Sequence, residues 1–462
     1  MTPIHYLGAA VVILLITGVG IYAGRQVKSA KDFTTSGRKA GAGIVAGSII
    51  GTLVGGASTI GTAQLAFSYG FSAWWFTLGG GLGCLALLFF VKPLYNSGIS
   101  TLPQVFEKEY GVSCNTAATL LTSMGSFLSI VSQMLSGIAL ISSIAGFIPP
   151  VVSTAIIVFL MLAYVIFGGI WGAGLVGIVK TVLLYTTTGI CGVLAITLQG
   201  GISAFVHNVS LPAAKYFNLI ARGPVVDLGA GLSLVLGVLT TQAYIQAAIS
   251  ARSLRESRKG VLISVILVPI IGIAGIFVGM YMKLNHPDII PATAMPLFIL
   301  EQTPPFLAGI ILATLLVALV GTGSGLALGL GSMICNSIFR TKKANDKKYL
   351  LTMRLVIFAV FILAAAFSTG NLGSMILGWS FMSMGLRGAV AFGPLCAALF
   401  LPGRIGEKFA LAAMIAGPAL VLLGKFILPP SVDSLFLGIA GSFVILGIGL
   451  VKRRARGLRS QQ

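Results

Sequence analysis

SIIGTLVGGASTIGTAQLAFSYG, residues 48–70, is apolar and uncharged, yet it is crowded with residues that weaken a helix. Gly51, Gly55, Gly56, Gly61 and Gly70 are mixed with Ser48, Thr52, Ser58, Thr59 and Thr62. In water such a run reads as a loop, because Gly costs roughly 1 kcal/mol against Ala inside a helix. Inside a bilayer every backbone N–H and C=O needs a partner, so irregular backbone survives only beside protein or a wet cavity. Two readings follow. Small residues let helices pack closely, as Gly51–Gly55 and Gly321–Gly325–Gly329 allow. Alternatively, a helix interrupted near mid-membrane frees carbonyls for a cation and N–H groups for a substrate.

The rest of the chain sets the solvent. Of 462 residues, 56% are hydrophobic and 9% charged, against about 25% charged in soluble domains; mean hydropathy is +1.02. Apolar runs of about 20 residues, long enough to cross a bilayer core, recur from end to end. They predict an all-α polytopic membrane protein of a single domain, 1–462, with thirteen crossings from 4–23 to 434–451. The first crossing has no basic leader or small-residue cleavage site and reads as a retained helix. The five cysteines are scattered without a C-x-x-C pair, which suggests packing rather than zinc or redox chemistry.

A net charge of +20 suggests nucleic acid until its distribution is followed. Most of the 30 Lys and Arg residues lie in alternate loops, around 25–39, 92–108, 252–259, 340–348 and 404–408, and in the tail 452–462. The other set of loops holds Lys215, Arg222 and Lys283. The positive-inside rule therefore predicts a cytoplasmic C-terminus and an external N-terminus, and the small loops suggest a plasma-membrane location. The basic tail is an orientation signal.

A second segment bears on the opening stretch. Residues 226–247, VDLGAGLSLVLGVLTTQAYIQA, again combine Gly229, Gly231 and Gly237 with Thr240, Thr241 and Gln242. They begin five crossings later, so a five-helix repeat would enter from the opposite face. Glycine-interrupted helices at corresponding places of two such halves point to a secondary transporter with inverted repeats. The halves are 42–198 and 227–400, with the leading helix 4–23 before them and two helices, 408–451, after.

Several stretches also resemble the sodium:solute symporter family. DFTTSGRKAG (32–41) resembles its D-F-x-x-x-G-R segment, and STIGTAQLAFSYG (58–70) its first core helix. TLPQVFEKEYG (101–111) is similar to its T-[LM]-P-E loop, with Gln104 in place of the usual Glu. FGGIWGAG (167–174), QAAISARSLRESRKG (246–260) and AMPLFILEQTPPFLAGIILATLLVALVGTGSG (294–325) follow in family order. The resemblance covers about residues 30–400. It implies a LeuT-like fold of five plus five inverted helices, broken first helices in each half, and sodium-coupled symport of a small solute.

The residues themselves favour a cation over a proton relay. All ten Asp and Glu lie in or beside loops, so no carboxylate is placed mid-membrane, where relays hold them. Hard cations take oxygen ligands. The resemblance implies a Na⁺ site made by the carbonyls of Gly51, Val54 and Ala318 and the hydroxyl of Thr322. A further family hydroxyl falls on Gly321, which has none. Where the family often has T-D-x-x-Q, this chain has VGIVK (176–180), with Gly177 for the acid and Lys180 for the glutamine. Lys180 either snorkels to the nearby interface or reaches toward the incomplete ion site as a coupling group. The second reading leaves open a sodium-independent or proton-coupled carrier with Lys180 replacing the ion.

Arg387 falls near the middle of the last core helix. An Arg there costs at least about 2.5 kcal/mol on insertion scales, so it should face protein or water and have a partner. Its partners are either helix carbonyls or an anionic group on the solute, which points to a carboxylate-bearing, anionic or zwitterionic solute. Ser58, Thr241 and Gln242 are further substrate candidates, each with a competing role in interhelical hydrogen bonding. Trp74, Trp75 and Trp171 read as interfacial belt residues. GTGSG (321–325) lacks the preceding strand and the G-K-[ST] of a phosphate loop. An enzyme would need a buried base, metal cluster or nucleophile, and none is legible. The expectation is a non-enzymatic transporter in the lipid bilayer, with Na⁺ as coupling ion, no organic cofactor, no nucleic acid and no obligatory protein partner.

Overall fold

The computed structural model describes residues 1–24, 38–208, 212–339, 346–429 and 431–459, with backbone only at 23–24, 166–173, 346–347 and 453–459. Most of the stretch 32–41, the loop cations of 25–37 and 340–345 and the Trp171 side chain fall outside the described residues. All the regular elements described are helical. The principal ones are α1 (Pro3–Gly24), α2 (Ala42–Leu53), α3 (Thr62–Tyr69), α4 (Trp75–Asn96), α5 (Val112–Ile144) and α6 (Pro150–Leu198). Then come α7 (Pro224–Thr240), α8 (Gln242–Ile249), α9 (Leu254–Asn285), α10 (Pro305–Ser337), α11 (Asp346–Thr369), α12 (Ile376–Phe400), α13 (Glu407–Ile427) and α14 (Leu435–Arg459).

Among the described residues ten helices are long and apolar enough to cross a membrane, eleven if the bent pair α7–α8 is one span. The expected count of thirteen is not established. The opening segment is split into short pieces, and Pro150–Val165 is a shorter apolar helix within the continuous α6. Splitting is itself the predicted feature. Helix α2 ends at Leu53, residue Val54 turns to extended backbone at φ −94°, ψ 108°, and one π-helical turn, Ala57–Gly61, leads into α3. The counterpart break falls at Thr241, also extended, where α7 and α8 meet at 48°.

Packing sorts the helices into two bodies. Helices α4 and α9 pack on each other and on the broken helices: α9 against α2 and α3, α4 against α7. The breaks are joined at one end as well, since Ala40 N–H donates to Ser250 C=O (3.2 Å), Arg252 N–H to Ala40 C=O (2.9 Å), and Ala42 N–H to the Glu256 carboxylate (2.8 Å). The second body is α5, α6, α10 and α11, which pack among themselves. Helix α2 crosses from the first body to lie against α6 and α10, and α12 lies along α5 and α7. The junction of α2 with α6 and α10 is where the freed backbone of the break meets the second body.

Candidate ion and solute site

Several groups freed by the break in the opening stretch find partners. Gly55 N–H donates to Ser58 Oγ (2.9 Å), and Gly56 N–H donates to Gln133 Oε1 on α5 (2.8 Å). The Gly55 carbonyl accepts from Ser58 (3.0 Å) and Thr59 (2.9 Å). Glycine is needed at 55 because a Cβ there would lie 2.7 Å from Gln133 Oε1 and closer still to the Thr322 hydroxyl. The Ser58 and Thr59 hydroxyls thus take up groups freed at the break, and Gly55 and Gly56 admit the side chains of α5 and α10.

The carbonyls of Gly51 and Val54 turn toward α10. The Thr322 hydroxyl lies 3.1 Å from Gly51 O and 3.0 Å from Val54 O. Into the same cluster comes Lys180 from α6, 1% exposed. Its Nζ donates to Gly51 O, to Ala318 O (3.0 Å) and to Thr322 Oγ1 (3.0 Å). The structure therefore gathers Gly51, Val54, Ala318, Thr322 and Lys180 at one point. Snorkelling does not describe Lys180; the side chain runs inward.

Close helix approach makes that reach possible. A Cβ on Gly47 would sit 2.6 Å from the Gly174 carbonyl oxygen, and one on Gly177 would run into the carbonyl of Gly47. Helices α2 and α6 meet backbone to backbone there, so an acid at 177 has no room. One turn further along each helix stand Gly51 and Lys180. Beside them Gly321 leaves space: a Cβ there would lie 3.6 Å from Lys180 Cδ and 3.4 Å from the Tyr164 hydroxyl.

Arg387 is held elsewhere, in a seam between α5 and α12, and is fully buried. Its Nη2 donates to Ser129 Oγ (3.0 Å) and Ser383 Oγ (2.9 Å) and lies 3.1 Å from Met384 Sδ, and its Nε donates to the Ser383 carbonyl (3.2 Å). Nη1 has no hydrogen-bond partner among the described residues. The seam is polar along its length, with Ser129–Ser383 at 2.6 Å and Ser132–Ser380 at 2.8 Å. Gly125 completes it, since a Cβ there would lie 2.5 Å from Arg387 Cγ.

The other solute candidates spend their polar atoms on the chain itself. Ser58 caps the break, and the Thr241 hydroxyl donates to Gly237 O (2.5 Å). Gln242 accepts from Leu102 N–H (2.7 Å) and donates to Ser100 O (3.2 Å) and Gln246 Oε1 (3.3 Å), so it fastens the second break to the T-L-P-Q loop. Trp74 and Trp75 donate their indole N–H groups to Pro269 O (2.8 Å) and Leu219 O (2.7 Å). Sequence reasoning missed Gln133 and the serine seam. The signal was present in SFLSIVSQMLSG (126–137), whose small polar residues recur at helical spacing.

Comparison with known proteins agrees with this architecture. The model of the sodium:solute symporter family matches residues 33–417. The osmoregulated proline transporter of Bacillus subtilis is 23% identical over 88% of this chain and 85% of its own length. The monocarboxylic acid transporter of Corynebacterium glutamicum is 23% identical over 78% and 72%. A solved structure of a Na⁺-coupled sialic acid symporter, substrate-bound and outward-open, superposes with a TM-score of 0.81 at 20% identity over 98% of both chains, which establishes the LeuT-like fold. These relatives are transporters.

Proposed function

The chain belongs to the sodium:solute symporter family, a family of secondary carriers of small solutes with Na⁺, and on that premise we propose how it works: by alternating access, moving a carboxylate-bearing solute. Sodium coupling is the reading that family and fold support, over a sodium-independent carrier of the same fold. The observation that carries the mechanism is the meeting of the broken helix with α10, where Gly51 O, Val54 O, Ala318 O and Thr322 Oγ1 converge across the junction of two helical bodies. A cation bound there ties one body to the other. Its arrival steadies one arrangement, and its departure lets the bodies rock. Four uncharged oxygens from backbone and hydroxyl suit a hard cation. The protein lies in the plasma membrane with its basic loops and C-terminus in the cytoplasm.

The nature of the solute is argued from Arg387. A guanidinium sealed from water, with one nitrogen unpartnered and hydroxyls in place of an acid, is set to receive an anion. Proline, monocarboxylic acids and sialic acid, the solutes named for the relatives above, all bear a carboxylate. In the form described here α5 and α12 enclose the guanidinium, so the solute reaches it when the seam parts. Gln64 ties the start of α12 to α3, accepting from Ile376 N–H (2.9 Å) and donating to Ser374 O (3.3 Å).

Reconstitution into liposomes tests the reading. Proline, short monocarboxylates and sialic acid are offered with and without an inward Na⁺ gradient. Uptake driven by the gradient is expected for one of them. Arg387→Gln should raise KM for that solute by about tenfold or more, the equivalent of one charge-assisted hydrogen bond. Unchanged kinetics would remove Arg387 from the solute site.

A further inference from the structure

Three of the oxygens that the ion-site reading assigns to Na⁺ are already in contact with a group of the protein, the Lys180 amine. An ammonium has three N–H donors, and Lys180 has three acceptors in reach: Gly51 O, Ala318 O and Thr322 Oγ1. The two carbonyls can only accept. The Thr322 proton is turned toward Gly51 O and Val54 O. An ammonium can fill all three acceptors at once, while the single Thr322 proton serves Gly51 O or Val54 O. None of the ion pairs among the described residues includes Lys180. Among the described residues it is met by uncharged oxygens and not by an acid.

Two departures from the family pattern adjoin at this site. Gly321 lacks the expected hydroxyl, and a Cβ there would be in ordinary contact with the stem of Lys180, 3.6 Å from its Cδ. Gly47 and Gly177 bring α6 close enough for the lysine to enter. Two glycines thus grant Lys180 access to the cage.

We propose that the Lys180 ammonium is a tethered cation that competes with Na⁺ for the cage between α2 and α10, so that Na⁺ enters only when Lys180 withdraws. This rests on the symport reading, for the cage is that reading's ion site. The competition lowers the apparent Na⁺ affinity by the fraction of time the lysine is away. An ammonium in place nine-tenths of the time reduces the affinity about tenfold.

The test is equilibrium binding of radioactive Na⁺ to purified protein in detergent, which requires no solute. Wild type is compared with Lys180→Gln, Lys180→Met and the double variant Lys180→Gln/Gly321→Ser, each first shown to be folded by its melting transition. Both single variants should bind Na⁺ about tenfold or more tighter than wild type. The double variant, with the family's hydroxyl restored, should bind tighter again. Wild type that binds no measurable Na⁺ beside variants that do would support the proposal equally. Equal or weaker binding in both single variants would overturn it; having two replacements of different polarity guards against one that fails to fold. The two readings separate cleanly. Na⁺-driven uptake by wild type with unchanged affinity in the variants leaves symport standing and removes the tethered cation. Tighter Na⁺ binding in the variants without solute uptake by any protein does the reverse.

Discussion

Thr322→Val replaces a hydroxyl with a methyl of nearly the same shape, so its effect reports hydrogen bonding more than packing. Thr322 is 1% exposed and touches three groups: Gly51 O at 3.1 Å, Val54 O at 3.0 Å and Lys180 Nζ at 3.0 Å. With valine, Gly51 O keeps its bond from Lys180, and Lys180 keeps two acceptors. Val54 O loses the hydroxyl inside a water-poor site. A buried acceptor left unsatisfied costs about 1–3 kcal/mol, and a hydrogen bond to a charged group contributes about 1.5–3 kcal/mol. Because Lys180 keeps its other two bonds, the lower ends of both ranges apply. The sum is about 2–3 kcal/mol.

That destabilisation should appear as a lower melting temperature in detergent, by a few degrees for a chain of this size. Thr322→Ser keeps the hydroxyl and should melt close to wild type. Na⁺ loses one of its four oxygens in Thr322→Val, but Lys180 loses an acceptor as well, so the melting temperature is the deciding readout. Wild-type melting in Thr322→Val would refute the reasoning. The bonds drawn between α10 and the break would then contribute nothing to stability.

Three other substitutions probe the surroundings. Gly177→Ala drives a methyl into the Gly47 carbonyl, so α2 and α6 must separate; overpacking of about 1–3 kcal/mol should lower the melting temperature, while Gly189→Ala, where a Cβ meets open space, should not. Gln133→Leu leaves Gly56 N–H without its acceptor and should destabilise by about 1–3 kcal/mol, whereas Gln133→Glu retains an acceptor and should be milder; melting curves of the pair decide it. Gln64→Leu removes both bonds to the start of α12 and should speed labelling of a cysteine introduced at Ser380, as that end of the protein opens more often.

The fold was legible because the membrane restricts the choices. Once the solvent is lipid, a Gly- and Thr-rich apolar run has to be a packed or broken helix, and two such runs five crossings apart imply an inverted pair. The structure breaks both, at Val54–Gly56 and at Thr241, within the segments the sequence singles out. The number of spans was less legible, because a helix broken for function falls below the length that marks a crossing. Some departures from the family pattern also needed no compensation. Gln104 still supplies an oxygen, accepting from Ser100 N–H (2.8 Å) and Thr101 N–H (3.2 Å), so the usual Glu is replaced without losing the acceptor.

The site was legible residue by residue and illegible as an object. Helical periodicity tells which residues share a face, but not which faces of distant helices adjoin. Gly321 and Lys180 are 141 positions apart in the chain, and read singly each counts against an ion site. Placed together, they adjoin: the stem of Lys180 runs past Gly321 to reach the oxygens of the cage. The same holds for Arg387: insertion energetics demanded a partner, and with no acid in reach the sequence offered backbone or solute. The structure adds a third class, the serine hydroxyls of α5 and α12, which solvate the guanidinium without neutralising it. A charge solvated but not neutralised stays available to an anion, as a cage filled by a tethered ammonium stays available to a stronger competitor. Among the described residues Lys180 and Arg387 are both held by dipoles and by no acid, and an arrangement of this kind releases its occupant at less cost than an ion pair would, because no opposite charge is left bare behind it.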